Sequence, residues 1–502
     1  MPTPDRSRAA SEAAALTRAW AEEGGPGGAI VLFDATGPRD GFAGGYASLE
    51  HRLPFGPGTP SRWASISKQF CAATLLLEGV PLDTPFATWI DGLPPSLGAV
   101  PLRRGLDMTG GLPDLVETLS LAGFPFSATL TAAEGLEALR RLPGLNAPTG
   151  AEGGPEMTYS NTGYRLVQAA FPAAAGRPYA EALHARLLQP LGLDICLPED
   201  EATVVDGLAT GYRKDGTGWR RGRYGAQYSP SGGLAGSAET LAQWGAALLA
   251  GRGPLTGMLP RLCEAGPLGG PYRLGLSLPQ LDGLPLAGHG GSLPGYRDHL
   301  LFSPSLGIGA VVLCNREDTE PLWAALRILA AWAGLPLPVP GTLPPGLYAA
   351  ATGPGWAEVS GGEITFMGST EKLLATPDGV RSLPSSLDLA LRPEADGILA
   401  GQVGRTAQRL LPVPGDTALD PAMAGSWRDD AFGSVLEIRP DGTARLPGFG
   451  VPAVPLTPFP GGRALVSREH GGSVLRASLW LCDRNTLLLS SHRSRVLRLH
   501  RA

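Results

Sequence analysis

The sequence predicts an α+β domain followed by an all-β tail. Up to about residue 335 apolar residues recur with both helical and strand periods. Residues 334–345 (GLPLPVPGTLPP) then interrupt the pattern with clustered prolines. Beyond them only short alternating runs remain, separated by Gly, Pro, Asp and Asn, as in β-barrels and sandwiches. The 502 residues correspond to roughly three domains at about 150 residues each. With 43% apolar and 17% charged residues the chain is not disordered. Its 71 glycines and 49 prolines are spread along the sequence, which implies many turns.

In chain order, the first twenty residues read as an amphipathic helix with scattered charges. They lack the apolar run of a signal peptide, so a cytoplasmic protein is expected. Residues 29–34 (AIVLFD) form a strand, and residues 65–78 (SISKQFCAATLLLE) a largely buried helix. Residues 180–189 read as a helix stopped by Pro190. Ser237 is placed to cap a helix over 237–250, with Glu239 in its first turn. A buried strand over 307–313 and a helix over 322–333 complete the first part, without a regular βαβ repeat. The expected limits are 1–335 for the first domain, 336–345 for a linker, and 346–418 and 419–502 for two β units. A weak repeat supports that division, because Gly346-Leu347-Tyr348 and Gly425-Ser426-Trp427 each precede a similar alternating stretch. Further short strands are expected at 435–439, 464–467 and 487–489.

Composition also excludes functions. The formal charge is −5 and no cationic cluster is visible, so no nucleic-acid partner is expected. No stretch approaches 18 apolar residues, so no membrane span is expected. Cys71, Cys196, Cys263, Cys314 and Cys482 are far apart and match no ligand spacing. They read as small buried residues, and neither a metal nor another cofactor is implied.

Lysine carries the chemical information. Only Lys68, Lys214 and Lys372 occur among 41 basic residues. Lys214 and Lys372 sit in polar, turn-rich stretches and read as solvated. Lys68 lies in the most apolar helix, three residues after Ser65, and such residues share a helix face. A seryl hydroxyl needs a base to become a nucleophile, and a buried lysine loses its proton readily enough to serve. The competing reading is a lysine snorkelling from a surface helix. Tyr159-Ser160-Asn161 follows a Gly-rich loop. Its phenol could shuttle protons and its amide orient the lysine; the alternative is a turn asparagine beside a half-buried tyrosine. His289-Gly290-Gly291 is the third element. Alone H-x-G means little among so many glycines, but these two would let a strand edge approach a ligand closely. His299 reads as structural.

S-x-x-K, Y-x-N and H-x-G in this order resemble the penicillin-recognising serine hydrolase superfamily. Trp63 to Ala73 (WASISKQFCAA) and Leu106 to Leu112 (LDMTGGL) resemble its class C β-lactamase and esterase branch. Within it, H-x-G in place of K-T-G, the length and the two-part β tail are most similar to the bacterial D-aminopeptidases. The resemblance implies a β-lactamase/penicillin-binding-protein-like catalytic domain followed by two antiparallel β-barrel domains of eight strands each. It implies a metal-independent homodimer that cleaves unblocked N-terminal D-residues from small peptides, amides or esters, with β-lactams as inhibitors. Ser65 would attack, Lys68 and Tyr159 would move the proton, Asn161 would orient Lys68, and His289, Gly290 and Gly291 would line the substrate. The oxyanion would be held by the N–H of Ser65 and one from residues 298–301. A loop of the last barrel, expected at 466–473, would place Glu469 on the substrate ammonium; a plain hairpin-turn carboxylate is the other reading. A neutral His289 would not attract a carboxylate, which favours substrates without one beside the scissile bond. A serine esterase or β-lactam-interacting hydrolase of the same branch, and a catalytically silent penicillin-fold binding or regulatory protein, remain alternatives.

Overall fold

The Ala-rich N-terminal segment forms the helix Arg6–Glu23, opened by Asp5, whose carboxylate accepts from Ser7 N, and closed by Gly24 in the left-handed region. In the computed structural model, residues 4–149, 156–216, 218–266, 268–383, 386–448, 450–470 and 473–502 are described. Ala9 and Ala13 pack with the helix Pro321–Ala333 against one face of a five-stranded antiparallel sheet. Across that sheet the strands run Ala287–Leu293, Tyr296–Ser303, Ile308–Cys314, Gly28–Asp34 and Gly37–Gly44. The first strand therefore pairs with a distant one, from Gly28 opposite Cys314 to Asp34 opposite Ile308.

Alternation assigns the side chains to two cores. Ile30, Leu32, Leu301 and Val312 face the terminal helices, while Val31, Phe33, Leu300 and Val311 face a second core on the opposite side. Covering on both faces explains why these strands read as continuous apolar runs. In the second core lies the helix Ser67–Leu77, buried from Ser67 through Leu75. Phe70 stacks on Trp244 at 4.0 Å between ring centroids, and Trp63 lies 5.7 Å from Phe70. Ser237 caps its helix as expected, accepting from Thr240 N at 3.1 Å.

Pro190 does not end its helix. The chain passes from Tyr179–Leu183 through a π-turn at His184–Leu188 into Gln189–Leu191, and stops at left-handed Gly192. The wider turn makes room for a proline ring that would strike an α-helical carbonyl. Cys71 and Cys314 are buried as expected, but Cys196 is exposed. Lys214 meets Glu23 and Asp318, and Lys372 meets Glu320, all at the surface.

The tail holds two β units. Strands from Gly346–Ala350 to Thr406–Pro412 form a nine-stranded antiparallel sheet. Its edges, Ser369–Lys372 and Leu374–Thr376, are separated by one residue, so the sheet curls into a nearly closed barrel. The second unit, from Gly425–Asp429 to Leu497–Arg501, is a closed eight-stranded barrel. Nine strands in the first unit differ from the eight implied by the resemblance. The sequence repeat has a structural counterpart. Gly346 pairs with Val359 and Gly425 with Ile438, partners in the same relative register at the start of each unit. The proline-rich stretch is docked: Ala375 N donates to Val339 O and Gly341 N to Leu373 O, against an edge of the nine-stranded sheet. No helix of the described residues is long and apolar enough to cross a membrane.

Candidate active site

Ser65 lies in the 3₁₀ turn Ala64–Ile66, which runs directly into the Ser67–Leu77 helix. Ala64 has φ +47°, a strained conformation for a residue with a side chain. It persists because Ser67 Oγ donates to Ala64 O at 2.7 Å while accepting from Leu234 N at 3.0 Å. The turn lifts Ser65 to the cleft and leaves Lys68 fully buried beneath it. Lys68 Nζ is 2.9 Å from Ser65 Oγ, 2.8 Å from Asn161 Oδ1 and 2.6 Å from Ser231 O. A neutral amine satisfies all three, donating its two N–H groups to the carbonyl oxygens and offering its lone pair to the Ser65 hydroxyl. Complete burial pushes the Lys68 ammonium well below the ordinary lysine range. Asp114 opposes that shift, and the Arg493 and Arg165 cations reinforce it.

Asn161 stands at the entrance to the helix Thr162–Ala175. Gly163 lets that helix approach the segment Leu102–Leu106 closely, since a Cβ there would fall 2.1 Å from Gly105 O. Asp114, not anticipated from sequence, orients the amide: its Oδ2 accepts from Asn161 N at 2.8 Å and from Nδ2 at 2.9 Å. Asn161 Oδ1 is thereby turned toward Lys68. The only sequence signal for Asp114 was its place before LVETLSL, where it also caps the helix Leu115–Leu121. Asp114→Asn should lower kcat by about 10- to 100-fold through lost charged hydrogen bonds. It should also move the acid limb of the pH–rate profile to lower pH, because Asp114 holds the Lys68 proton on. A structural defect alone would leave that limb in place.

Tyr159 is buried and borders the same cavity as Ser65. Burial holds the phenol up at about 12 despite the neighbouring Ser65 hydroxyl and Arg493 cation. It is therefore neutral near pH 7, and the group beside Ser65 whose proton is loosened by burial is the lysine. The Lys68 Nζ lies 5.1 Å from the Tyr159 ring centroid.

His289, Gly290 and Gly291 lie on Ala287–Leu293, the edge strand of the five-stranded sheet. His289 Nδ1 donates to Gly290 O at 2.6 Å, and Nε2 accepts from Tyr272 Oη at 2.7 Å. Burial and Lys68 push its pKa down to about 3, so the imidazole is neutral. Gly291 permits the strand to meet the catalytic turn: a Cβ there would fall 2.4 Å from Trp63 O. Gly288 exchanges backbone hydrogen bonds with Ser277, on the side away from Tyr296–Ser303. With a two-residue period, Gly290 and Ser292 also point their N–H groups outward to the cleft. The expected oxyanion donor in 298–301 is corrected accordingly. That strand is internal, paired on both sides, and its amides are spent in the sheet. Ser292, beside Ser65 in the cleft lining, is the available donor.

Ser65 opens on two cavities. One of about 250 Å³ includes Ser65, Asn161, Tyr228, Ser231, Ser292 and Arg493. The other, of about 370 Å³, includes Ser65, Tyr159, His289, Ser292, Ser386 and Arg493. The last barrel thus reaches the cleft, but through its loop 491–496, which supplies Arg493. Glu469 lies on the strand Arg463–His470 opposite Val474, and its side chain is outside the described residues. His299 is buried in the sheet behind Gly290.

Comparison with known proteins accords with this architecture. The family described as Beta-lactamase matches residues 13–334. A D-aminopeptidase of Gluconobacter oxydans is 28% identical over 323 residues, covering 62% of this chain and 60% of that protein. The chain thus spans about 60% of that relative's length. A D-aminopeptidase of Cereibacter sphaeroides is 26% identical over 508 residues, covering 92% of this chain and 95% of that protein. The octameric penicillin-binding protein homologue from Pyrococcus abyssi matches with a TM-score of 0.56 at 18% identity, over 99% of both chains.

Proposed function

Because the chain belongs to the Beta-lactamase family, we propose that it is a serine hydrolase forming an acyl-enzyme on Ser65. Its substrates are small peptides, amides or esters with an unblocked N-terminal D-residue, as for the D-aminopeptidases it is similar to. The observation that carries the reading is the 2.9 Å approach of a fully buried Lys68 Nζ to Ser65 Oγ.

Ser65 Oγ attacks the substrate carbonyl as its proton passes to Lys68 Nζ. The N–H groups of Ser65 and Ser292 hold the oxyanion. Tyr159, neutral and beside Ser65 in the cleft lining, hands a proton to the leaving amine and is resupplied from Lys68. Water then attacks the Ser65 ester, giving a proton to Lys68, which returns it to Ser65 Oγ as the acyl bond breaks and the acid product leaves. Asn161 keeps Lys68 aimed throughout, the outward edge at Gly290 pairs with the substrate backbone, and Gly291 keeps that edge close to the Ser65 turn.

Intact mass after incubation with D-alanine amides and with ampicillin should show a covalent adduct on the wild-type chain. Ser65→Ala should abolish both adduct and turnover. Hydrolysis of D-alanine p-nitroanilide by that variant at the wild-type rate would overturn the reading.

A further inference from the structure

We infer that Arg493 is a carboxylate-binding residue of the Ser65 cleft, so that the preferred substrate carries a free carboxylate on the leaving-group side of the scissile bond. The inference rests on the hydrolase reading only for the position of that bond.

The loop 491–496 is held in place from two directions. Arg493 O accepts from Asp114 N at 2.9 Å and from Asn146 Nδ2 at 3.3 Å. His492 N donates to Met367 O at 2.8 Å, in the hairpin turn between the strands Glu363–Phe366 and Ser369–Lys372 of the nine-stranded sheet. Buried Arg495 pairs with Glu156 at 3.0 Å, and the Thr118 and Ser494 hydroxyls lie 2.7 Å apart. The Arg493 guanidinium is therefore delivered on a fixed backbone. It sits 4.7 Å from the centroid of the Tyr159 ring and borders both cavities beside Ser65. Tyr159 serves the leaving group, so this is the leaving-group side.

Hydrogen bonding and position distinguish this residue. Its guanidinium makes no hydrogen bond to a described residue. The nearest acid, Glu117, is 3.9 Å from Nε and is hydrogen-bonded by Ser491 Oγ. Of the other cations in the lining, Arg297 donates to Glu317 at 3.2 Å, and Arg165 donates to Tyr224 Oη at 2.6 Å and to Gln227 O at 3.4 Å. The acids are engaged too, Asp114 with Asn161 and Glu317 with Arg297 and Gly295 N. Arg493 thus keeps a planar guanidinium whose one ion pair, to Glu117, is long at 3.9 Å, and whose N–H groups are shaped to take a carboxylate through two parallel bonds. It supplies the charge that K-T-G would supply and that a neutral His289 does not. The expectation of substrates lacking a carboxylate is reversed, because the cation comes from a different part of the chain.

Calorimetry on Ser65→Ala with D-alanyl-glycine and D-alanyl-glycinamide tests this without turnover. The free acid should bind about 10- to 100-fold more tightly than the amide. Adding Arg493→Gln should bring that ratio close to one, and Arg493→Lys should leave an intermediate value. Equal affinity for acid and amide, no binding of either at millimolar concentration, or a preference that survives Arg493→Gln would overturn the inference. The first comparison needs no Arg493 variant, so misfolding of Arg493→Gln does not protect it. If the hydrolase reading alone fails, Ser65 gains no adduct while the acid preference persists.

Discussion

Lys68→Met should lower kcat/KM by about 10²- to 10⁴-fold, the usual worth of a positioned general base. Methionine suits the fully buried site in length and removes only the amine. The variant leaves Asn161 Oδ1 and Ser231 O without their donor, and it lifts the desolvation cost of an ionisable group. These opposed effects act on stability, whereas the loss of rate follows from the missing lone pair. The pH dependence gives a second readout. Burial depresses the folded-state value of Lys68, so the unfolded chain binds a proton there that the folded chain does not. The Lys68 contribution to stability is complete above about pH 10.4 and is lost as pH falls toward the folded value. Activity in the wild type should hold across that range and fall only as pH passes below the folded value, where Lys68 takes up its proton. Urea midpoints between pH 6 and 10 should depend less on pH in Lys68→Met. A variant retaining wild-type kcat/KM would remove Lys68 from the chemistry.

Gly291→Ala should cost about 10²- to 10³-fold in kcat, the usual consequence of losing one oxyanion donor. The added methyl would lie 2.4 Å from Trp63 O and 3.1 Å from Asp298 Cβ. Neither neighbour can yield cheaply, since one is backbone next to strained Ala64 and the other belongs to an internal strand. The edge strand must then move away from the catalytic turn, carrying Ser292 N with it. Turnover of D-alanine p-nitroanilide and a thermal melt, measured together, separate this from global unfolding. A folded variant with undiminished kcat would show that Ser292 N does not hold the oxyanion.

The parts of the site legible in sequence were those coded by short spacings. Ser65 and Lys68 sit one turn apart in an apolar helix, and Tyr159 and Asn161 two residues apart, so local geometry brings them to one place. Asp114 escaped because an acid before a helix already has a sufficient explanation as a cap. Arg493 escaped because arginine is abundant and its meeting with Tyr159 depends on how the last barrel docks. The oxyanion donor was misassigned because sheet order, not sequence, decides which strand is an edge. Pro190 misled because a π-turn absorbs a proline that would break an α-helix. In the tail, Gly346 and Gly425 proved informative because both begin a hairpin of the same register. The extra strand of the first unit left no comparable mark.

The anchoring of the loop 491–496 has a consequence during biosynthesis. Ser65 leaves the ribosome 428 residues before Arg493, an interval of about 20 to 90 s at ordinary elongation speeds. A nascent chain can thus present its nucleophile well before the residue that selects among substrates. Discrimination by charge would be the last property the molecule acquires as it is made.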